Sequence, residues 1–419
     1  MVTRDRVRFL GGALAALAVA AVVTGCGSSS GPPTLQYYNF PEPSGSFAKA
    51  VADCSNASGG RYKIQLNSLP SASDAQRQQL VRRLAAKDSG FDIIGMDVNW
   101  TAEFAEAGWI RPWTGPNAQQ VTNGVLPGPI ATATWNGKLY GAPLNSNTQL
   151  LWYRKDLVPN PPKTWNEMIA DAIQLAKQGK PHYIEEQGAQ YEGFTVWFNS
   201  LVDSAGGQIL SGPSTVALGP PAQQAATIIR DLATSPAADP SLSNSQEDQG
   251  RLAFESGKAA FEINYPFVWP SAQKGVPKIA AVMGYAPYPS VVAGTPAKVT
   301  IGGINLGVSS YSKHQAEAFA AITCLANRQN QLNDAVKGGL PPTIGSLYDD
   351  PALAKAYPFH ALIKQQLATY GIRPKTPAYS DVSLAIQKTL SPPSAITPAS
   401  AVNQLTGQIK SALTSGALL

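Results

Sequence analysis

The N-terminal third of the chain alternates between two hydrophobic patterns. Short apolar or alternating runs are typical of strands, and apolar residues three and four apart are typical of helices. The predicted order is strand 34–40, helix 44–60, strand 61–69, helix 73–88, strand 91–97 and a short helix with Glu103, Phe104 and Glu106. Ser73 and Gln76 have the spacing of a capping box at the start of the second helix. This order predicts a parallel sheet that helices cover on both faces.

A second series of elements begins near residue 138. After a first segment at 138–157, it comprises helices at 164–178, 222–232 and 252–256, a strand at 259–264, a strand with a glycine pair at 298–309, a helix at 312–330 and more helices after Pro341. We find no internal repeat. The chain is therefore predicted to have an α/β fold with two structural units.

The first 33 residues have a pattern of their own. Three arginines among the first eight residues precede an apolar run at 9–23, which is short for a membrane span and typical of a signal peptide. Val23-Thr24-Gly25-Cys26 resembles a lipobox, in which cleavage before the cysteine is followed by acylation of its thiol. We therefore predict a signal peptide at 1–25, an acylated Cys26 and a flexible tether at 26–33. The alternative is an ordinary signal peptide with a chance cysteine.

Composition narrows the functional classes. A chain of 419 residues is too long for one comfortable core, and a net charge of +5, with no basic stripe, argues against nucleic-acid binding. No second apolar run approaches the length of a membrane span, so we expect membrane contact through the acyl anchor only. The expected location is the outer face of the cytoplasmic membrane.

Two cysteines remain once Cys26 is acylated. Cys54 and Cys324 would lie in an oxidising compartment, where a disulfide is expected, although two buried free thiols are the alternative. The three histidines show no spacing typical of a zinc site together with these cysteines. We therefore expect no metal and no cofactor.

Three segments carry a family resemblance. "LWYRKDLVPNPPKTWNEMI" at 151–169, "WNGKLYGAP" before it and "GKAAFEINYPFVW" after it resemble the family-1 extracellular solute-binding proteins of ABC importers, the group that contains maltose-binding protein. The resemblance covers nearly the whole mature chain. It implies no enzymatic activity, a sugar ligand, two permease subunits with a cytoplasmic ATPase as partners, and a monomeric binding protein.

Further strings suggest a subgroup. "MDVNWTAEFAEAGW", "NTQLLWYR", "GYAPYP", "PAKVTIGG" and "GGLPP" look like the trehalose-binding lipoproteins of mycobacterial importers. The segment between Trp269 and Met283 is shorter than in those proteins, so a different sugar preference stays open. Maltose, another α-glucoside or a glycerophosphodiester are the alternatives to trehalose.

The resemblance also implies a domain plan. The family has a two-lobed periplasmic-binding-protein fold of the Venus-flytrap type, with the ligand in the cleft between the lobes. On that template, lobe one takes 34–144 and 285–340, and lobe two takes 145–284 and 341–419. Cys54 and Cys324 would then lie on helices of the same lobe.

The candidate ligand-binding residues of lobe one are polar groups that follow strands or open helices. Such groups gather at the carboxyl ends of strands in α/β sheets, and carboxylates and amides suit sugar hydroxyls. The candidates are Asn39, Glu42, Gln76, Asp97 and Asn99, with Arg77 beside them. The alternative roles are turn hydrogen bonds, helix caps and a solvated charge.

The remaining candidates lie where the family lines its cleft. They are Asn145, Asn147, Glu192, Trp197, Glu262, Asn264, Tyr265, Phe267, Gly302, Gly303, Gly338, Gly339, Leu340 and Arg373. The aromatic residues would stack on a pyranose ring, the glycines would allow close backbone approach, and the arginine would offer several donors. Hinge turns, core packing and a surface salt bridge are the alternative roles.

Two other functional classes compete with binding. Asp97 and Glu262 could serve as the acid and base of a surface-anchored glycoside hydrolase. A structural or adhesive envelope lipoprotein is the other alternative. Neither class has a supporting motif in the sequence.

Overall fold

The computed structural model describes residues 31–414. The predicted signal peptide, Cys26 and most of the predicted tether lie outside the described residues. Residues 33–414 belong to one compact unit. Between residues 31 and 414, every helix lacks the combination of length and apolar character that a membrane span requires.

The strands form two larger sheets and one hairpin. They are β1 Thr34–Asn39, β2 Lys63–Ser68, β3 Ile93–Asp97, β4 Thr134–Trp135, β5 Lys138–Leu139, β6 Ala142–Asn147, β7 Leu150–Arg154, β8 Tyr183–Glu185, β9 Ala259–Asn264, β10 Met283–Ala286 and β11 Gly302–Val308. The first sheet has the order β2-β1-β3-β11-β6, and the second sheet has the order β10-β7-β9-β8. Strands β4 and β5 form the hairpin.

Helices connect these strands and continue to the end of the described chain. They are α1 Ser46–Ala57, α2 Ser73–Ala85, α3 Thr101–Glu106, α4 Gly115–Thr122, α5 Pro127–Thr132, α6 Trp165–Lys177, α7 Glu192–Ser204, α8 Pro220–Ala233, α9 Glu247–Glu255, α10 Val268–Gly275, α11 Pro277–Val282, α12 Gln315–Leu325, α13 Arg328–Gly338, α14 Pro351–Ala356, α15 His360–Ala368, α16 Tyr379–Leu390 and α17 Pro398–Thr414.

The first sheet confirms the predicted parallel pairing of its N-terminal strands. Strand β1 pairs in parallel with β2 and β3, whereas β11 runs antiparallel between β3 and β6. Leu35 and Tyr37 of β1 enter one buried cluster, and Ile94 and Met96 of β3 enter another. Both faces of the sheet are therefore covered, because successive side chains of a strand point to opposite faces.

The second sheet is built in the same way. Strand β7 lies antiparallel between β9 and β10, and β8 is parallel to β9. Leu151 and Tyr153 of β7 join one buried cluster, whereas Leu150 and Trp152 join another. Helices α7, α8, α16 and α17 pack against one another beside the first of these clusters. The second sheet is thus also a buried layer.

The chain passes between the two sheets more than once. Strand β6 of the first sheet leads into β7 of the second, and β10 of the second leads back into β11 of the first. After α13, Tyr348, Leu353 and Ile363 pack with Leu150 of the second sheet. Residues distant in sequence therefore meet where these connections lie.

A disulfide joins two helices that pack beside the first sheet. Cys54 of α1 is bonded to Cys324 of α12, with a Cα–Cα distance of 5.8 Å. Both helices contact each other and pack beside the first sheet. The predicted disulfide is confirmed.

The predicted capping box at Ser73 is wrong. Helix α2 begins at Ser73 itself, with Ala72 at the N-cap and no side-chain cap. Instead, the Ser73 hydroxyl donates to Asp97 Oδ2 at 3.2 Å, and Gln76 Nε2 donates to the carbonyl oxygen of Ser71 at 3.1 Å. The Ser73 hydroxyl therefore bonds to Asp97, which is distant in sequence, and does not cap the helix.

Candidate functional site

Polar side chains stand at the carboxyl ends of the parallel strands in both sheets. Asn39 ends β1 and Asp97 ends β3, and these two strands are parallel neighbours. In the second sheet Glu185 ends β8, Glu186 follows it, and Asn264 ends the parallel neighbour β9. Ligands of open α/β sheets bind outside such strand ends. These sheet edges are therefore the candidate binding site.

Arg373 connects the two sheets at this place. Its side chain is only 4% exposed, and it donates to Asp97 Oδ1 at 2.7 Å and to Glu192 Oε1 at 2.8 Å. Asp97 belongs to the first sheet, and Glu192 begins α7, which packs with the second. We call these three residues the Arg373 junction. It brings together three of the residues that the sequence proposed as ligand contacts.

Glu192 is the most heavily bonded member of the junction. Besides Arg373, it accepts hydrogen bonds from the Tyr379 hydroxyl, from Ser383 Oγ at 2.6 Å and from Asn99 Nδ2 at 3.2 Å. Burial raises the pKa of Glu192, although the positive charge of Arg373 opposes this. Glu192 therefore has little capacity left for a ligand and instead fixes Arg373 and Asn99.

Tyr265 lies beside the junction, three residues before the start of α10 at Val268. Burial raises the pKa of its hydroxyl, and the nearby charges of Glu247, Asp97 and Glu186 raise it further while Arg373 lowers it. These neighbours come from both sheets. An aromatic ring among carboxyl groups suits a molecule with apolar ring faces and many hydroxyls.

Four acidic residues crowd the polar end of the second sheet. Glu185, Glu186, Glu247 and Glu262, which we call the Glu186 cluster, influence one another in pairs. Burial, with Asp239 and Glu262 nearby, raises the pKa of Glu185 to about 9. Burial also raises the pKa of Glu262 to about 8 and that of Glu186 well above its ordinary value. Protonated carboxyl groups of this kind can both donate and accept hydrogen bonds.

Several buried polar atoms in this region have no hydrogen-bond partner in the protein. They are Asn99 Oδ1, Asn145 Oδ1, Glu186 Oε2, Glu262 Oε2 and Arg373 Nε. Most buried polar groups in proteins are hydrogen-bonded, so these atoms are free to bind a polar ligand. Within residues 31–414, no three His, Cys, Asp or Glu side chains are placed to hold a metal ion.

Two lobe-one candidates make turn hydrogen bonds. Asn39 is fully buried and its Nδ2 donates to the Tyr37 hydroxyl at 2.5 Å. Glu42 accepts from the backbone N–H groups of Ser44 at 2.7 Å and Ser46 at 2.9 Å. Burial would raise the pKa of Glu42, but these bonds together hold the pKa below its ordinary value. Both side chains are therefore bonded to residues close to them in sequence.

Arg77 and Trp197 also have structural roles. The Arg77 guanidinium is paired with Glu103, with a distance of 2.8 Å from Nε to Oε2. Trp197 is fully buried and lies against Trp165, with ring centroids 5.9 Å apart. The helical position of Trp197 turns its indole into the core beside Phe194, which is the core-packing role given above as the alternative to a ligand contact.

The strand β9 candidates are bonded to one another. Asn264 Nδ2 donates to Glu262 Oε1 at 2.6 Å and to the Glu247 carbonyl at 2.9 Å, and its Oδ1 accepts from the Tyr265 N–H at 2.8 Å. Asn264 is thus fully used in joining β9 to the start of α9. Its hydrogen bond to the Tyr265 N–H positions Tyr265.

Asn145 and Asn147 form a pair at the end of β6. Asn145 Nδ2 donates to Asn147 Oδ1 at 3.0 Å, which leaves Asn145 Oδ1 unbonded. Gly302 and Gly303 pair with this strand end, and a Cβ on Gly303 would collide with the Asn145 carbonyl oxygen. Gly303 is therefore required for strand packing, whereas Asn145 keeps a free acceptor.

The segment Gly338–Leu340 contacts residues of both sheets. A Cβ on Gly338 would lie 3.1 Å from Glu42 Oε1, and one on Gly339 would lie 3.1 Å from Phe267 Cα. Gly339 ends α13 in a left-handed conformation with a φ of 73°. Leu340 packs at the margin of the first sheet's core. Close packing, not ligand approach, explains both glycines.

Sequence reasoning missed several residues of the site. Glu186 and Glu247 act on Tyr265, and Tyr379 and Ser383 hold Glu192. The Glu-Glu-Gln run at 185–187, where β8 ends, was a usable signal, because polar residues also stand at the ends of the other parallel strands. Glu247 and Tyr379 are the first residues of α9 and α16, which are distant in sequence from β8 and α7, so no local pattern marks them.

Comparisons with known proteins agree with this architecture. A model of the family "bacterial extracellular solute-binding protein" matches residues 41–332. A probable ABC transporter-binding protein of Deinococcus radiodurans is 31% identical over 365 residues, which are 83% of this chain and 86% of that protein.

Solved structures show the same fold. Maltose-bound MalE3 of T. maritima has a TM-score of 0.82 and 26% identity, over 90% of this chain and 99% of that one. The GacH receptor of Streptomyces glaucescens, solved unliganded and with acarbose, has a TM-score of 0.78 and 22% identity, over 91% and 98%. The predicted two-lobed α/β fold is confirmed.

Proposed function

Because the chain belongs to the family of bacterial extracellular solute-binding proteins, we propose that it captures a disaccharide and delivers it to an ABC permease. The relatives and the fold are those of substrate-binding proteins and not of enzymes. The hydrolase alternative also fits poorly with Asp97, which is paired with Arg373, and with Glu262, which is only 1% exposed.

We further propose how the protein is placed and divided. Cleavage after residue 25 and acylation of Cys26 anchor it to the outer face of the cytoplasmic membrane through the tether at 26–33, as a monomer that docks on two permease subunits. Lobe one comprises 34–144 and 285–340, and lobe two comprises 145–284 and 341–419. The return of β11 to the first sheet and the packing of α16 and α17 with α7 and α8 support this division.

Trehalose is the proposed ligand. The choice rests on the sequence strings shared with LpqY, the trehalose-binding lipoprotein of a mycobacterial importer. Similar structures hold maltose, acarbose and α-D-tagatose, which supports a carbohydrate in general. Maltose, another α-glucoside and a glycerophosphodiester remain the named alternatives.

One observation carries the proposal: buried polar atoms without protein partners occur near the strand ends of both sheets. Asn99 Oδ1 and Asn145 Oδ1 can accept from sugar hydroxyls, and Arg373 Nε can donate to one. The Tyr265 ring offers a wall for a pyranose face. A sugar can contact polar atoms of both lobes only when the two lobes are close together. The ligand therefore favours the closed arrangement.

Titration calorimetry on the full chain tests the proposal. Trehalose, maltose, another α-glucoside and a glycerophosphodiester are titrated in parallel, and we expect binding of trehalose at equimolar stoichiometry. Tyr265→Ala should weaken binding about tenfold or more, whereas Tyr265→Phe, which keeps the ring, should bind nearly as wild type. Absence of heat with every compound would overturn the binding function, and absence with trehalose alone would overturn only the choice of sugar.

A further inference from the structure

A cavity lies beside Arg373. It has a volume of about 540 Å³, and its lining includes Arg373 but not Asp97, Glu192 or Tyr265. Volumes of this size are typical of small-molecule sites. The residues that matter for its chemistry are Trp135, Asn136, Asn199, Asp203, Lys298 and Tyr370. We call it the Asp203 cavity.

Elements from both halves of the molecule form this cavity. Trp135 and Asn136 belong to the β4–β5 hairpin, which packs against α3 and α5 next to the first sheet. Asn199 and Asp203 lie on α7, which belongs to the second. Lys298 precedes β11 in the connection between the sheets. A molecule in the cavity would therefore contact both halves at once.

The Asp203 carboxyl group is the central polar feature. Asn199 Nδ2 donates to Asp203 Oδ2 at 3.2 Å. A Cβ on Gly371 would collide with the same oxygen, so the glycine lets the carboxyl group lie against the backbone. Burial raises the pKa of Asp203 to about 7, and Lys298 opposes this. The group can therefore accept or donate a hydrogen bond near neutral pH.

The cations that line the cavity already interact with other groups of the protein. Lys298 stands beside Asp203, Lys375 Nζ donates to the Ala131 carbonyl oxygen at 2.8 Å, and Arg373 is held by Asp97 and Glu192. An anion would thus have to compete with Asp97 and Glu192 for Arg373 and with Asp203 for Lys298. A neutral ligand is favoured on this ground.

The rest of the lining combines apolar surface with amides. The indole N–H of Trp135 is bonded to Glu106 Oε2 at 2.8 Å, which fixes the ring, and Tyr370 supplies a second aromatic side chain. Asn136 and Gln208 add exposed amide groups. Apolar ring faces beside amides and a carboxyl group are the partners that hydroxyl-rich molecules use.

We propose that the Asp203 cavity binds a second small, neutral, hydroxyl-rich ligand, a monosaccharide or a linear polyol. Arg373 lines the cavity and also holds Asp97 and Glu192. A ligand in the cavity therefore changes the affinity of the cleft for its sugar. This coupling rests on the proposed function. Coupling is reciprocal, so the cleft ligand changes affinity at the cavity by the same factor.

Fluorine NMR of the full chain labelled with 5-fluorotryptophan tests the cavity. The Trp135 resonance is assigned with Trp135→Phe, and glucose and sorbitol are titrated with and without saturating trehalose. We expect a saturable shift of the Trp135 resonance with at least one of the two probes.

Asp203→Ala should weaken this binding about fivefold or more. Gln208→Phe, which places a ring at the cavity mouth, should abolish it, and Gln119→Phe on the exposed surface of α4 should leave it unchanged.

The outcomes separate the two proposals. An unshifted Trp135 resonance with both probes, or equal shifts in wild type, Asp203→Ala and Gln208→Phe, overturns the cavity site. Calorimetry reports the cleft independently, so a cleft that binds no sugar leaves the Trp135 titration valid. If the probe binds at the cavity but the trehalose affinity is the same with and without it, the coupling is overturned.

Discussion

The Arg373 junction and the Glu186 cluster both contain buried carboxyl groups, but they differ in how the negative charge of those groups is handled. Both bury carboxyl groups near the strand ends. At the junction, one guanidinium pairs with Asp97 and Glu192 at 2.7 and 2.8 Å. In the cluster, Glu185 and Glu262 form no ion pair with any residue that the structure describes, and burial raises the pKa of each, to about 9 and about 8.

The difference shows how one binding region obtains two kinds of polar group. At the junction, the positive charge of Arg373 opposes the effect of burial on the pKa of Glu192, and its guanidinium fixes both carboxyl groups by hydrogen bonds. Crowding makes the charged form of the cluster costly, so its carboxyl groups keep their protons. A ligand with many hydroxyls, each a donor and an acceptor, can use both kinds.

Removing the cation of the junction should have the largest effect. Arg373→Met leaves two carboxyl groups buried without their partner, and we expect the free energy of unfolding to fall by about 3–5 kcal/mol. Urea unfolding followed by circular dichroism measures this. Arg230→Met removes one member of an exposed pair with Asp231 and should change stability by no more than about 0.5 kcal/mol. Equal effects of the two variants would contradict the assigned role of the junction.

Removing an acid from the cluster should have a smaller effect that depends on pH. Because the pKa of Glu185 is raised from 4.5 to about 9 in the folded chain, the folded state binds more protons, and its stability falls as pH rises between these values. Glu185→Gln abolishes this loss. The stability of Glu185→Gln relative to wild type should therefore be about 2–3 kcal/mol higher at pH 8 than at pH 6.

The control for this experiment is an exposed carboxylate. Asp349 is 71% exposed and pairs with Lys364, so Asp349→Asn should give a difference from wild type that stays flat over the same pH range. Unfolding curves at several pH values supply both data sets. A flat difference for Glu185→Gln would mean that Glu185 is charged in the folded chain.

The smallest effect should come from one hydrogen bond to the junction. Tyr379→Phe removes a donor to Glu192, and we expect the free energy of unfolding to fall by about 1.5 kcal/mol, since the acceptor is a buried carboxyl group. Tyr357→Phe is the matched control, because the hydroxyl of this buried tyrosine has no hydrogen-bond partner. It should be neutral or slightly stabilising by thermal unfolding. A similar loss in both variants would refute a specific role for the Tyr379 hydroxyl.

The fold was more predictable than the site, for physical reasons. Strand and helix periods are local, so β1, α1, β2 and β3 could be predicted from their own residues. The pairing of Cys54 with Cys324 followed because only two cysteines remained.

The site depends on contacts between distant segments. Ser73 has the spacing of a helix cap, yet Asp97 takes its hydroxyl, and Trp197 faces the core because of the packing of α7. Glu192 was predicted as a ligand contact, but Tyr379 and Ser383, almost two hundred residues later, occupy it. Only the folded chain shows which side chains are already used.

The bond between Cys54 and Cys324 closes a loop with a sequence separation of 270 residues. All four strands of the second sheet lie inside this covalent ring. A protease that cuts the backbone once anywhere between the two cysteines opens the ring without separating the fragments. Because α1 and α12 stay linked, such a nicked molecule can keep its two halves together outside the cell, where proteases are common and reductants are scarce.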